Sequence, residues 1–181
     1  DTSLVTYYGV YAHADVPAAD SVAVDLTAPM RLELNKDKTD FVRQSNRGAA
    51  DFMITVNFTN IDAPGAVDLE NVVLAVRTTG NLRSLNDNGE VTAESDFDTV
   101  KPMVVPYGAV KVGETVPKPL YFDAKCTDEA AYERVTVGIY DTTQTGGELS
   151  DTYKLGEATA YILLPGSDGG VPKVSFASMT P

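Results

Sequence analysis

The sequence predicts an all-β fold: a single β-sandwich or jelly roll with an N-terminal strand available for exchange. Three observations carry this expectation. Apolar residues recur mainly with period two, the spacing at which the side chains of an extended chain alternate between faces. Turn signals fall at intervals of roughly 8 to 20 residues, as they do in all-β sandwiches. Helix character is confined to one short stretch, Asp128-Glu129-Ala130-Ala131, enough for a single turn, whereas a parallel sheet would need amphipathic helices between its strands. The 181 residues suit one domain. No internal repeat or biased linker divides them, so the expected organisation is a donor strand at 1–13 followed by a β-sandwich domain at 14–181.

The elements follow in order. Leu4-Val5-Thr6-Tyr7-Tyr8-Gly9-Val10-Tyr11-Ala12 is dense in β-branched and aromatic residues on both faces, so as a strand it calls for burial in two directions. Residues 14–19, small and interrupted by Pro17, read as a connector. Val22, Val24 and Leu26 alternate, as do Met30, Leu32 and Leu34, with Pro29 marking two strands or a bend in one. Phe52, Ile54, Val56 and Phe58 give the clearest alternation and predict a core strand. Val72, Leu74 and Val76 predict its successor, after a turn at Pro64-Gly65.

Asn86-Asp87-Asn88-Gly89 is a turn, because Asn and Gly tolerate positive φ. Glu90 to Asp98 reads as an acidic surface loop. Val100 to Tyr107 contains Pro102 and Pro106, which cannot donate to a ladder, and is expected at a sheet edge. Pro119 to Ala124, then Val135, Val137 and Ile139, form two strands around the helical turn. Gly146-Gly147 opens a loop, Glu157 to Leu164 is a late strand, and Val174 to Phe176 precedes a polar tail.

Composition narrows function by exclusion. A formal net charge of -12 repels nucleic-acid backbones and anionic membranes, and no apolar run approaches the roughly 20 residues of a membrane span. One His, one Cys and no Trp leave little catalytic or metal-binding equipment, so no enzyme is expected. His13 has no nucleophile-elbow motif to accompany it and reads as a connector residue. Cys126 has no partner in the chain and reads as a small apolar filler. The sequence opens on Asp1 without Met, as a chain whose leader has been removed would, and export is the expectation, although a shortened chain would look the same.

Two weaker patterns remain. Calcium, which takes several oxygen ligands, is the one cofactor the composition encourages; the candidate ligands are Asp87, Asn88 and Glu90, with Glu94, Asp96 and Asp98 beyond them. Their spacing is not that of an EF-hand, and a solvated acidic loop accounts for them more simply. Asn57-Phe58-Thr59 matches the N-glycosylation acceptor pattern, and an ordinary strand segment would too.

The terminal strand admits two homes: its own sheet, or the sheet of a neighbouring copy, to which it would add as a donor. Burying four or five of Leu4, Val5, Tyr7, Tyr8, Val10 and Tyr11 would contribute on the order of 10 kcal/mol before ordering entropy. Tyr7-Tyr8-Gly9-Val10-Tyr11-Ala12, the bridge to Val22-Ala23-Val24-Asp25-Leu26, and the strand-turn-strand from Ile54-Thr55-Val56-Asn57-Phe58-Thr59-Asn60 to Leu69-Glu70-Asn71-Val72-Val73-Leu74 resemble the biofilm-matrix fibre subunits of the TasA and camelysin type and the related archaeal bundling pilins. That resemblance covers under half the chain. It implies a secreted subunit that polymerises head to tail with identical subunits, donating its N-terminal strand to the next. Similar strand-turn-strand segments occur in monomeric Ig-like adhesion or binding modules of cell-surface proteins, which is the alternative.

Overall fold

The computed structural model describes residues 4–9 and 22–169. Nine strands are formed among them: β1 (Leu4–Gly9), β2 (Val22–Pro29), β3 (Phe52–Asn60), β4 (Leu69–Thr78), β5 (Leu82–Ser84), β6 (Met103–Val110), β7 (Thr115–Ala124), β8 (Ala131–Asp141) and β9 (Lys154–Leu164). They make two sheets in which every neighbouring pair is antiparallel, one of five strands in the order β1-β2-β3-β7-β5 and one of four in the order β6-β4-β8-β9. The chain is an all-β sandwich, as the alternation predicts.

The core is written in the inward rows. On β3, Phe52, Ile54, Val56 and Phe58 are fully buried while Met53, Thr55, Asn57 and Thr59 face outward. Leu26 and Ala28 of β2, Leu74 of β4, and Val135, Val137 and Ile139 of β8 are equally enclosed. Phe52 stacks on Phe122 with ring centroids 5.2 Å apart, and Phe58 meets Tyr107 of the opposite sheet edge-on at 6.1 Å. The Tyr107 hydroxyl accepts a hydrogen bond from the Phe58 N–H at 3.3 Å, a polar tie across the apolar interior. Burial pushes the Tyr107 hydroxyl up to about 12.

Three sequence expectations are corrected. Met30, Leu32 and Leu34 do not form a strand of their own. Beyond Pro29 the chain leaves the five-stranded sheet and lies along β9 of the other, where Leu163 N–H donates to Met30 O and Leu32 N–H to Leu163 O, both at 3.0 Å. Asp128 to Ala131 makes no helical turn, because its polar groups have other partners. Asp128 O accepts from Asp168 N–H at 3.2 Å, Asp128 Oδ1 from the Ser167 hydroxyl at 2.9 Å, and Thr127 donates to Glu129 O at 2.9 Å. The helical element among the described residues is instead a single 3-10 turn at Asp151–Tyr153. Third, β7 begins at Thr115, ahead of the expected Pro119. Pro117 and Pro119 are accommodated because β5 covers only residues 122–124 of that edge. The edge position expected for the Pro106 segment is what β6 occupies. The expected strand at 174–176 lies outside the described residues.

Truncating a ring of the stacked pair leaves a cavity that two rigid sheets cannot close. Phe122→Ala should destabilise the fold by about 3–5 kcal/mol, read as a lowered denaturation midpoint with an unchanged m-value.

Candidate subunit interface at the β1 edge

β1 pairs antiparallel with β2, Leu4 opposite Pro29 through Gly9 opposite Val24. It lies at the edge of the five-stranded sheet of its own chain, with one strand neighbour. The expected burial on two faces is not met. Val5, Tyr7 and Gly9 point inward and are half-buried, whereas Leu4 and Tyr8 are 65% and 79% exposed on the outer face. The physical reason is the two-layer architecture, in which every strand, central β3 included, has the core on one face only.

The inner face of β1 meets β9, the edge strand of the other sheet. Tyr7 packs against the core, its hydroxyl donates to Tyr161 O at 2.8 Å, and its ring tilts against that of Tyr161 at 6.1 Å. Gly9 crosses directly over the Glu157 carbonyl, and a Cβ there would collide with it. Between these contacts the edges part, leaving a gap of about 490 Å³ bordered by Tyr8, Ala158 and Thr159. On the outer face Thr6 and Thr27 stand opposite, their hydroxyl oxygens 3.3 Å apart. Of the expected interface residues, Leu4, Val5, Tyr7 and Tyr8 therefore share β1, while Val10 and Tyr11 lie outside the described residues.

Of the calcium candidates, Asp87, Asn88 and Glu90 fall on one turn, each with a protein partner, while Asp98 lies apart, beside Arg77 and Arg134. Asn86 Oδ1 accepts from the N–H groups of Asn88 and Glu90, both at 2.9 Å, and Asn86 Nδ2 donates to Glu90 Oε2 at 3.1 Å. Asp87 pairs with Lys118 Nζ at 3.4 Å. Arg47 donates to Asp87 O at 3.0 Å and to Asn88 Oδ1 at 3.4 Å. Among the described residues, no group of three or more His, Cys, Asp or Glu side chains is placed to hold a metal ion. Asn57 lies mid-strand on the outer face, in register with Asp25 and Pro117.

Sequence reasoning missed a polar cluster at the start of β3. Asp51, 4% exposed, accepts from Ala124 N–H at 2.9 Å and hydrogen-bonds the carboxylate of Asp123. Asp123 in turn takes two bonds from Arg83, at 2.9 and 2.6 Å, and the Arg83 guanidinium lies 4.5 Å over the Phe97 ring. Burial, then the Asp123 bond, push the Asp51 carboxyl up to about 7. The four residues are scattered along the chain and give no local motif. Cys126 packs at the border of the core, and burial followed by the Asp40 and Asp128 charges pushes its thiol up, away from the nucleophilic thiolate. His13, the single histidine, lies outside the described residues.

Fold and edge geometry thus define an all-β sandwich of two antiparallel sheets, and among the described residues no helix is long and apolar enough to cross a membrane. No protein-family model matches the chain, and no curated protein matches it. Among solved structures it is similar to the N-terminal domain of PorA, at a TM-score of 0.34 and 17% sequence identity over 70% of this chain and 84% of that one.

Tyr7→Phe should cost about 0.5–1.5 kcal/mol by removing the bond to Tyr161 O, with faster hydrogen exchange of the β1 amides than of β3. The Asp51 cluster sets a pH dependence. The native state holds the Asp51 proton more tightly than the unfolded chain, whose carboxyl has its ordinary value of 3.8, so the contribution is complete below that value and is lost as pH rises through about 7. Thermal melts of the wild type should fall across this window, and Asp51→Asn, isosteric and uncharged, should flatten the profile.

Proposed function

We propose that the chain is a non-catalytic structural subunit that assembles outside the cell with identical copies of itself into a filament, by exchange of β1. The observation that carries the reading is the join between β1 and β2. Adjacent antiparallel strands need as few as two connecting residues, yet here residues 10–21 intervene. A connector of that length spans up to about 40 Å when extended, enough for β1 to reach the β2 edge of a neighbour. In that arrangement β1 makes the same ladder, the same Tyr7 bond and the same Gly9 crossing as it does at home. The closed and exchanged forms then differ only in connector conformation and subunit concentration. If each copy gives its strand to the next, the contact is heterologous, and it builds an open polymer when the rotation between successive copies does not close into a ring.

A net charge of -12 disfavours close approach of copies, so assembly on this reading strengthens with ionic strength. The pairing of β1 within its own chain favours a second reading, a monomeric Ig-like binding module with the strand kept at home.

A cross-link separates the two. In a variant with Cys126→Ser, Thr6→Cys and Thr27→Cys place two thiols directly opposite on β1 and β2. After assembly and oxidation, exchange should give a ladder of covalent multimers on a non-reducing gel. A single monomer band at concentrations where large species elute would show that the strand stays in its own sheet.

A further inference from the structure

Independently of strand exchange, the outer face of the four-stranded sheet carries a cleft of about 640 Å³ whose lining includes Arg77, Arg134, Asp98, Thr99, Thr136 and Tyr140, within the size range of small-ligand sites. Arg77 of β4 stands opposite Thr136 of β8, and Arg134 follows two residues along on the same face. Among the described residues neither guanidinium has an ion pair or a side-chain hydrogen bond. The lining also holds Asp98, Asp151 and Glu157, but among the described residues none of them is ion-paired to Arg77 or Arg134, which leaves both guanidinium groups available to an incoming anion. The third cation, Lys154, is engaged by Glu157 and lies 5.9 Å over the Tyr140 ring.

The walls are fixed before any ligand arrives. Glu133, 8% exposed, accepts from the Thr79 hydroxyl at 3.0 Å and from Asn81 N–H at 2.9 Å. Thr79 Oγ1 also accepts from Arg134 N–H at 2.8 Å. Gly80 between them has φ +41, and a Cβ there would strike the Glu133 carboxylate. Gly80 O accepts from Asp98 N–H at 3.1 Å, which secures the second rim. Tyr140, 3% exposed, packs over Gly138, where a Cβ would stand 2.9 Å from its ring, and its hydroxyl points at Asp151 Oδ1, 3.4 Å away.

We propose that this cleft binds a carboxylate-bearing saccharide. The guanidinium forks of Arg77 and Arg134 match a sugar carboxylate. Asp98, Thr99, Thr136 and Asp151 supply the acceptors and donors that ring hydroxyls need. The two aspartates find hydroxyl donors on a sugar ring, which the side chains of an acidic peptide lack.

Calorimetric titration at low salt with trigalacturonate and trimannuronate tests this. At least one should bind, its methyl ester at least tenfold more weakly, with a tenfold loss in R77Q and in R134Q and no measurable binding in the double variant. Both substitutions are on the outer face, so unchanged denaturation midpoints would show that folding is intact; should a variant fail to fold, the ester comparison on the wild type still decides. Absence of binding to either trimer, equal affinity for the ester, or undiminished binding by the folded double variant would overturn the proposal. Hexaglutamate binding as tightly as the trimer would overturn the assignment to a saccharide.

Discussion

The inward row of β3, Phe52, Ile54, Val56 and Phe58, is the constraint on which the sandwich depends. All four are fully buried, and β3 sits between β2 and β7 in the five-stranded sheet. Because side chains alternate strictly along a strand, a slip of one residue would turn the row to solvent and bring Met53, Thr55, Asn57 and Thr59 inside. Register at β3 therefore fixes register at β2 and β7, and β1 inherits its own through β2. The tie from Phe58 N–H to the Tyr107 hydroxyl carries the same register to the opposite sheet.

Legibility in the sequence followed periodicity. β3 alternates cleanly along its length, and Val72, Leu74 and Val76 on β4 and Val135, Val137 and Ile139 on β8 give enough of a period to be readable. What was not readable depended on partners remote in the chain. Leu32 alternates as a strand residue would, but its backbone partner is Leu163, so the segment departs from the first sheet. Asp128 has a helix former's neighbours, yet Ser167 and Asp168 claim its polar groups. β5 is three residues long and carries no period at all. The terminal strand is legible from its aromatic density; its one-sided burial is not, because the number of layers covering a strand is a property of the whole fold. The same holds for the sites. Leu4 to Tyr8 were singled out as a contiguous run, whereas Arg77, Asp98 and Arg134, and likewise Asp51, Arg83 and Asp123, come together only through sheet order.

The Glu133 and Asp51 clusters use buried carboxylates to fix loops. Glu133 holds the turn after β4 against β8, and Asp51 holds the start of β3 against the end of β7. Neither is a stabilising device of the kind an exposed ion pair represents, since burying a carboxyl is costly unless its oxygens are satisfied. Their role is positional: each ties one strand end to its neighbour, Glu133 through hydrogen bonds from Thr79 and Asn81 and Asp51 through the bond from Ala124 N–H.

The prolines divide the molecule into unlike flanks. Pro106 on β6 and Pro117 and Pro119 on β7 lie on the flank away from β1 and β9, and the two strands that meet at the opposite flank contain none. Since proline offers no N–H to an incoming ladder, the ladder along that flank is interrupted at Pro106, Pro117 and Pro119. Backbone N–H groups are thus continuous along β1 and β9 and interrupted along the proline-bearing stretches of β6 and β7, so the two flanks differ in the hydrogen-bonding edge they present.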